Sequence, residues 1–187
     1  MNNADIGWML LSTALVLLMT PALAFFYGGL VRSKNALNTM MMSFVALGPV
    51  AVMWALVGYS LAFAPGNQAI GSLDYAGLRG VGMSAQGAIP HLLFMAFQGT
   101  FAIITPALIS GAVVERMRFN AYIAFITLWV VFVYAPVAHW VWGGGFLASM
   151  GALDFAGGAV VHVNAASAAL VAAMVVGARK DFGRHAI

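Results

Sequence analysis

The chain has 187 residues, of which 63% are hydrophobic and only 7% are charged, and its formal net charge is +3. Soluble domains average about a quarter charged residues, so this composition excludes a water-soluble globule and indicates a protein of the lipid bilayer. Because the basic residues are scattered along the chain, nucleic acid is not an expected partner. The absence of cysteine excludes disulfides and thiolate metal sites.

Five apolar segments are long enough to cross a hydrocarbon core, which takes about 20 residues in a helix. They run over residues 6–31, 38–63, 89–114, 119–142 and 155–178. The first segment is interpreted as a retained helix and not a signal peptide, because Met1–Asp5 has no basic residue and the apolar run is too long. The sequence therefore predicts an all-α integral membrane fold, a single domain over residues 1–187 with five transmembrane helices.

The basic residues fall almost entirely on one side of this predicted bundle. Seven follow the first, third and fifth segments, at Arg32, Lys34, Arg116, Arg118, Arg179, Lys180 and Arg184. Arg79 alone lies in an opposite connection. By the positive-inside rule the richer side is cytoplasmic. This predicts an outer N-terminus, an inner C-terminus and a multi-pass location in the cell (inner) membrane.

Two ionisable residues lie at the start of the fifth segment. Asp154 follows a glycine-rich turn, as a helix N-cap does, and its carboxylate is expected to accept hydrogen bonds from amides near Ala156 and Gly157. It either only caps the helix or also helps to form a cation-attracting outer site. His162 lies about 12 Å further along the axis, towards the membrane midplane. Because ionisable groups in a bilayer usually face a polar pathway, a role in proton relay or solute passage is favoured over simple packing.

The remaining candidates are weaker on residue pattern alone. Phe97 and Phe101 share one face of the third helix, where packing is the simpler interpretation, although aromatic faces also bind small cations. For Trp142 as well, a place in the membrane-interface aromatic belt is the simpler interpretation than a role as a ligand. His91 and His139 are expected near the outer interface, where solvation costs little, and are assigned no function. The sequence has no hydrolase, metalloprotease or phosphate-loop motif, so no enzyme, metal site or cofactor is predicted.

Four stretches carry a family resemblance. They are Phe26–Asn35, Ala96–Ala102, Ala138–Gly145 and Gly151–Ala165, and the last is the most specific. Together they resemble the ammonium transporter (Amt/Mep/Rh) family, and the similarity covers essentially the whole chain. The resemblance implies transport of ammonium or ammonia through a narrow hydrophobic pore in each subunit of a homotrimer, without a cofactor or a chemical energy source.

The resemblance also implies roles for individual residues. Trp142 would help to form an outer ammonium-recruitment site, with Phe101 at its floor and in a gating pair. Asp154 would order the helix start and support cation binding, and His162 would be one of two central histidines in the pore. The supporting residues are Phe97, Ala156 and Gly157.

The chain is short for this family, whose members have about twice as many residues and eleven helices in two inverted repeats plus a final one. It corresponds to the N-terminal five-helix repeat, so the missing C-terminal half would supply the second histidine and the second gating phenylalanine. Two alternatives stay open, an ammonium-sensing transporter-like module and an Rh-type gas channel. Trp142, as a potential cation ligand, favours the ammonium type.

Overall fold

The computed structural model describes residues 1–179, 182 and 183. Within that part of the chain the protein is a helical bundle, and five helices are long and apolar enough to cross a membrane. The prediction of five spanning helices is confirmed. Lys180 and Arg184, which contribute to the predicted charge asymmetry, lie outside the described residues.

The five spanning helices, named α1 to α5, differ in how continuous they are. The continuous ones are α1, Asn3–Gly29, and α3, His91–Ser110. The segments of α2 are Ser33–Val45, Pro49–Met53, the π-helical turn Trp54–Gly58, and Tyr59–Phe63. Those of α4 are Phe119–Trp129, the π-helical turn Val130–Tyr134, and Ala135–Val141. Those of α5 are the π-helical turn Gly158–Val163 and Asn164–Val176.

The α2–α3 and α4–α5 connections lie at one end of the bundle, here called the loop end, and the opposite end is called the basic end. The α2–α3 connection contains the 3-10 turn Ala76–Leu78 and an antiparallel pair of two-residue strands, β1 (Ala85–Gln86) and β2 (Ile89–Pro90). The α4–α5 connection contains the short helix Phe146–Ser149. The two connections contact each other, because the amide of Phe146 donates to the carbonyl of Gln68.

Several helix ends differ from the predicted ones, either because polar residues extend the helix or because a turn in the backbone interrupts it. α2 begins at Ser33 rather than at residue 38, because its first turn is polar yet still helical. α3 ends at Ser110 rather than at residue 114, and the turn after it brings Glu115 to a left-handed φ of 62°. α5 begins at Gly158 rather than at residue 155, because Gly157 has a φ of 85°, which breaks the helix before it. Apolarity sets the span, but backbone geometry sets the ends.

The bundle is unevenly packed. Half of the most apolar stretch of α3 is buried, whereas only 11% of the corresponding stretch of α1 and 22% of that of α5 are buried. The centre is filled by large side chains, among them Trp54, Tyr59, Tyr122 and Tyr134. Helices α1 and α5 therefore flank α3 and leave apolar faces uncovered on one side of the bundle. Those faces border the candidate functional site.

Candidate functional site

Asp154 caps α5 through all four acceptor positions of its carboxylate. One oxygen accepts hydrogen bonds from the amides of Gly157 and Gly158 at 2.8 and 2.7 Å, and the other from Ala159 and Val160 at 2.8 and 2.9 Å. These four amides are the ones that a helix start leaves without intrahelical partners. An ionised carboxylate offers about four lone-pair sites, so this set uses them all.

The predicted cap is thus present, with a corrected set of donors. The expected donors lay near Ala156 and Gly157, but the four bonds come from Gly157 and the three residues after it. Ala156 lies before the left-handed turn at Gly157, so its amide is not in the helical register. An N-cap pattern identifies the capping residue, but the turn that precedes the helix decides which amides it reaches.

The pKa of Asp154 reflects two opposed effects. Partial burial raises the pKa of the carboxyl, because desolvation disfavours the charged form. The four backbone hydrogen bonds stabilise the carboxylate and outweigh that effect, so the pKa lies below its ordinary value. Asp154 is therefore an anion at neutral pH whose acceptor positions are filled by the backbone.

Three aromatic rings lie in contact at the loop end. The rings of Phe97 and Phe101 meet edge to face with centroids 5.0 Å apart, and those of Phe101 and Trp142 lie 5.9 Å apart at 63°. The indole N–H of Trp142 donates to the backbone carbonyl of Asp154 at 2.9 Å, which fixes the ring against the start of α5. The structure thus brings Phe97, Phe101, Trp142 and Asp154 together from three elements distant in sequence.

His162 lies inward of this aromatic group, on the π-helical turn that opens α5. Its Nδ1 lies 3.0 Å from the carbonyl oxygen of Gly157, so Nδ1 carries the hydrogen of that bond. The side chain is exposed on the surface of the bundle. It borders a groove of about 320 Å³ between α1, α3 and α5.

The wall of this groove is apolar apart from the histidine. Its other lining residues are Met19, Ala22, Leu23, Phe26, Ile104, Leu108 and Val161. Ile104 and Leu108 follow Phe101 at helical spacing on one face of α3, so the groove begins below the aromatic group. A larger hollow of about 720 Å³ follows at the basic end of the same three helices, bordered by Tyr27, Gly111 and Met174. The aromatic group, the groove and the larger hollow thus follow one another along one face of the bundle.

The structure corrects the expected environment of two other histidines. His139 is 2% exposed, and its Nδ1 and Nε2 lie 2.9 and 2.8 Å from the carbonyl oxygens of Ala62 and Asn67. His91 is 5% exposed, with Nε2 2.6 Å from the Tyr59 hydroxyl. Both were expected in an interfacial, solvated position. No local pattern marks the burial of His139, because its acceptors lie 77 and 72 residues away in the sequence.

Replacing His139 with alanine is expected to destabilise the loop end. A neutral imidazole donates through one ring nitrogen, so the change leaves one carbonyl oxygen without its donor and opens a cavity, and the free energy of unfolding should fall by about 2–4 kcal/mol. Denaturant titration of the purified protein in detergent measures this. Ser149→Ala, at an exposed serine of the same end whose hydroxyl bonds the nearby Gly145 carbonyl, is the control and should change stability little. Equal stability of the two variants would contradict a bridging role for His139.

Among the described residues, no group of three or more His, Cys, Asp or Glu side chains is arranged to hold a metal ion. The site instead consists of an aromatic group and a fully hydrogen-bonded carboxylate at the loop end, with a single histidine in the apolar groove below them. Five spanning helices with such a groove define a multi-pass membrane protein that carries one ionisable side chain in an apolar groove.

The chain belongs to the Ammonium Transporter Family, whose sequence profile matches residues 7–187. It is 56% identical over 184 residues to an ammonium transporter of Bacillus subtilis, a match that covers 97% of this chain and 46% of the relative. Its fold superposes on the crystal structure of Candida albicans Mep2 with a TM-score of 0.88 at 40% identity, covering 95% of this chain and 40% of that one. A structure titled Sensor Amt Protein matches with a TM-score of 0.86 at 28% identity, covering 97% and 47%. The chain thus spans about half the length of the curated relatives it matches.

Proposed function

We propose that this chain forms the N-terminal half of a pore that conducts ammonium or ammonia across the cell membrane. One observation carries the proposal. His162 is an ionisable side chain exposed on the side of an apolar groove, in a helix that spans the membrane. Such a group is costly against lipid, so the groove needs a polar occupant or a protein partner over it.

The missing partner is a second helical half in this proposal. The relatives are about twice as long, and the faces of α1 and α5 beside the groove are largely unburied. A second half packed on those faces would close the groove into a narrow pore and bring its own central histidine to His162. Three such subunits, each with its own pore, would make the homotrimer implied by the family resemblance.

The recruitment site lies at the loop end, which we infer to be the outer end, with the N-terminus outside and the C-terminus inside. Trp142 and Phe101 present ring faces and edges beside the start of α5, and an aromatic face attracts a small cation through its quadrupole. The ring of Phe97 packs against the ring of Phe101. The tight turn at Gly157 brings the backbone before α5 close to the Trp142 ring. Asp154 holds this arrangement and adds negative potential, but with its four acceptor positions filled it does not ligate the cation directly.

The test is uptake of methylammonium by membranes containing the full-length protein, with Trp142→Leu as the variant. Loss of the indole removes a cation–π contact and the hydrogen bond to Asp154, so the half-saturating concentration should rise about tenfold. Trp140→Leu is the matched control, because Trp140 bonds the Ala69 carbonyl instead and contacts Phe146. No methylammonium uptake by the wild type would overturn the proposed function. Equal half-saturation in both variants would overturn the recruitment site alone.

A sensing role is the second candidate, and the structural match to the protein titled Sensor Amt Protein favours it. In a sensor, binding at Trp142 would be retained while flux is low, and the signal would pass to a module joined to the transporter-like part. Measuring methylammonium binding and flux in parallel on the full-length protein distinguishes a sensor from a transporter. Saturable methylammonium binding without uptake would favour the sensor.

A further inference from the structure

Gly99 lies on α3 between the two phenylalanines of the aromatic group, but on the opposite face of the helix. It is two residues away from Phe97 and two from Phe101. Because each residue of an α-helix turns the chain by about 100°, Gly99 points about 200° away from both rings. The phenylalanine rings therefore lie on the front of α3, where Phe101 meets Trp142, and Gly99 lies on its back.

The indole of Trp54, on α2, fills the space behind Gly99. The contact is so close that a Cβ atom on Gly99 would lie 2.9 Å from Cδ1 and 3.1 Å from Nε1 of the indole. The indole N–H donates to the carbonyl oxygen of Met95, one turn earlier on α3, at 3.2 Å. The backbone of α3 thus packs directly against the indole, and a hydrogen bond fixes the contact along the helix.

Trp54 is itself held in place by its surroundings. Its side chain is 2% exposed. Its ring meets those of Tyr59, Phe63 and Tyr134 edge to face, with centroids 5.8, 6.2 and 5.9 Å apart. Gly58, one turn further along α2, lies so close that an added Cβ would be 3.0 Å from Cε3 of the indole. Because a close-packed interior has no room for it to retreat, the indole is a fixed support for α3.

We propose that Trp54 is a positioning residue of the aromatic group. It sets how far α3 lies from α2, and hence where the ring of Phe101 lies against the ring of Trp142. Trp54 acts through the backbone of α3 at Gly99 and is not itself a ligand of the cation. The consequence for transport rests on the proposed function, because the place of Phe101 matters if its ring pair with Trp142 recruits the cation.

The test is ¹⁹F NMR of the full-length protein with para-fluorophenylalanine at position 101 alone. In Gly99→Ala the added methyl group meets the indole. Because carbon atoms in contact are ordinarily about 3.5–4.0 Å apart, α3 must move forward by about 0.5–1 Å, and the resonance at position 101 should move. When Gly99→Ala is combined with Trp54→Phe, the smaller ring leaves room for the methyl group, and the resonance should return towards its wild-type position.

Two controls distinguish this local displacement from a general loss of packing. Gly7→Ala adds the same methyl group to α1, where nothing lies within 4 Å of it, and should leave the Phe101 resonance unchanged. A second fluorinated probe at Phe119, which begins α4 at the basic end, should give the same resonance in Gly99→Ala as in the wild type.

Methylammonium uptake by the same full-length proteins should follow the resonance. Gly99→Ala is expected to lower the initial rate about tenfold, because a shift of this size misplaces Phe101 against Trp142. The double variant with Trp54→Phe should recover to within about threefold of the wild type, since the second change relieves the first.

Three results would overturn the proposal. The first is an unchanged Phe101 resonance in a folded Gly99→Ala protein, and the second is a displaced resonance that Trp54→Phe does not restore. The third is unchanged uptake in Gly99→Ala when the wild type transports. If Gly99→Ala does not fold, Trp54→Phe alone takes its place, because it opens space behind α3 and removes the bond to Met95, and an unchanged resonance then overturns the proposal. The resonance is read without transport, so its failure is distinguishable from failure of the proposed function, which rests on wild-type uptake.

Discussion

Replacing His162 with alanine is expected to reduce methylammonium uptake by the full-length protein at least about tenfold. His162 is the polar side chain of an otherwise apolar groove, and a polar solute crossing it loses hydration that the imidazole partly replaces. Loss of one hydrogen bond in such a setting is worth about 1.5–3 kcal/mol, which corresponds to about 10- to 100-fold in rate. Initial uptake rates in reconstituted vesicles, normalised to folded protein, measure the effect.

The matched control for this change is Ser167→Ala on the same helix. Ser167 is exposed, and its hydroxyl bonds the carbonyl of Val163 within its own helix, so its loss should leave both folding and uptake close to wild type. Uptake that is equal in His162→Ala and Ser167→Ala would contradict the assignment of His162 to the path. It would leave the histidine as a group that packs against the second half.

Replacing Asp154 with alanine is expected to have a large effect on stability. Four amides at the start of α5 lose their acceptor, and the backbone carbonyl that holds Trp142 is no longer fixed, so we expect a loss of about 2–4 kcal/mol in the free energy of unfolding. Unfolding in detergent measures the loss. Asp74→Ala, at an exposed acid, should cost much less.

The pH dependence of the same comparison follows from the pKa of Asp154. The folded protein holds the pKa of Asp154 below its ordinary value. The stabilisation that the ionised carboxylate contributes is therefore fully present above the pKa of about 3.9 in the unfolded chain. It is lost as the pH falls through the lower pKa of the folded protein. The stability difference between wild type and Asp154→Ala should therefore be constant near neutral pH and shrink in acid. A difference that stays the same at acidic pH would contradict the role of the ionised carboxylate.

Much of the site was predictable because its signals are local. Asp154 follows a glycine-rich turn and precedes an apolar run, which is enough to recognise an N-cap. His162 is an ionisable group in an apolar span, which is enough to single it out. The pairing of Phe101 with Trp142 could not be derived from spacing, because the two rings lie on different helices. Only the family resemblance implies it.

The surroundings of His139 and Ala156 could not be predicted from sequence patterns. His139 lies next to a membrane interface in the sequence pattern, yet its two ring nitrogens face carbonyl oxygens of α2 and of the connection that follows it. Ala156 precedes Gly157, whose left-handed backbone moves the helix start to Gly158. In both cases a backbone path, not a residue type, decides which groups meet.

The sequence by itself determined the membrane class, the five spans, the Asp154 cap and the singular position of His162, because hydrophobic length, capping and burial cost are properties of short stretches. Only the tertiary structure decided that the Asp154 carboxylate is fully bonded and that His162 Nδ1 faces the Gly157 oxygen. Those contacts depend on a left-handed glycine and a π-helical turn that set the distances between atoms. Patterns of residue type specify which groups a helix carries, and backbone geometry specifies which of their atoms meet.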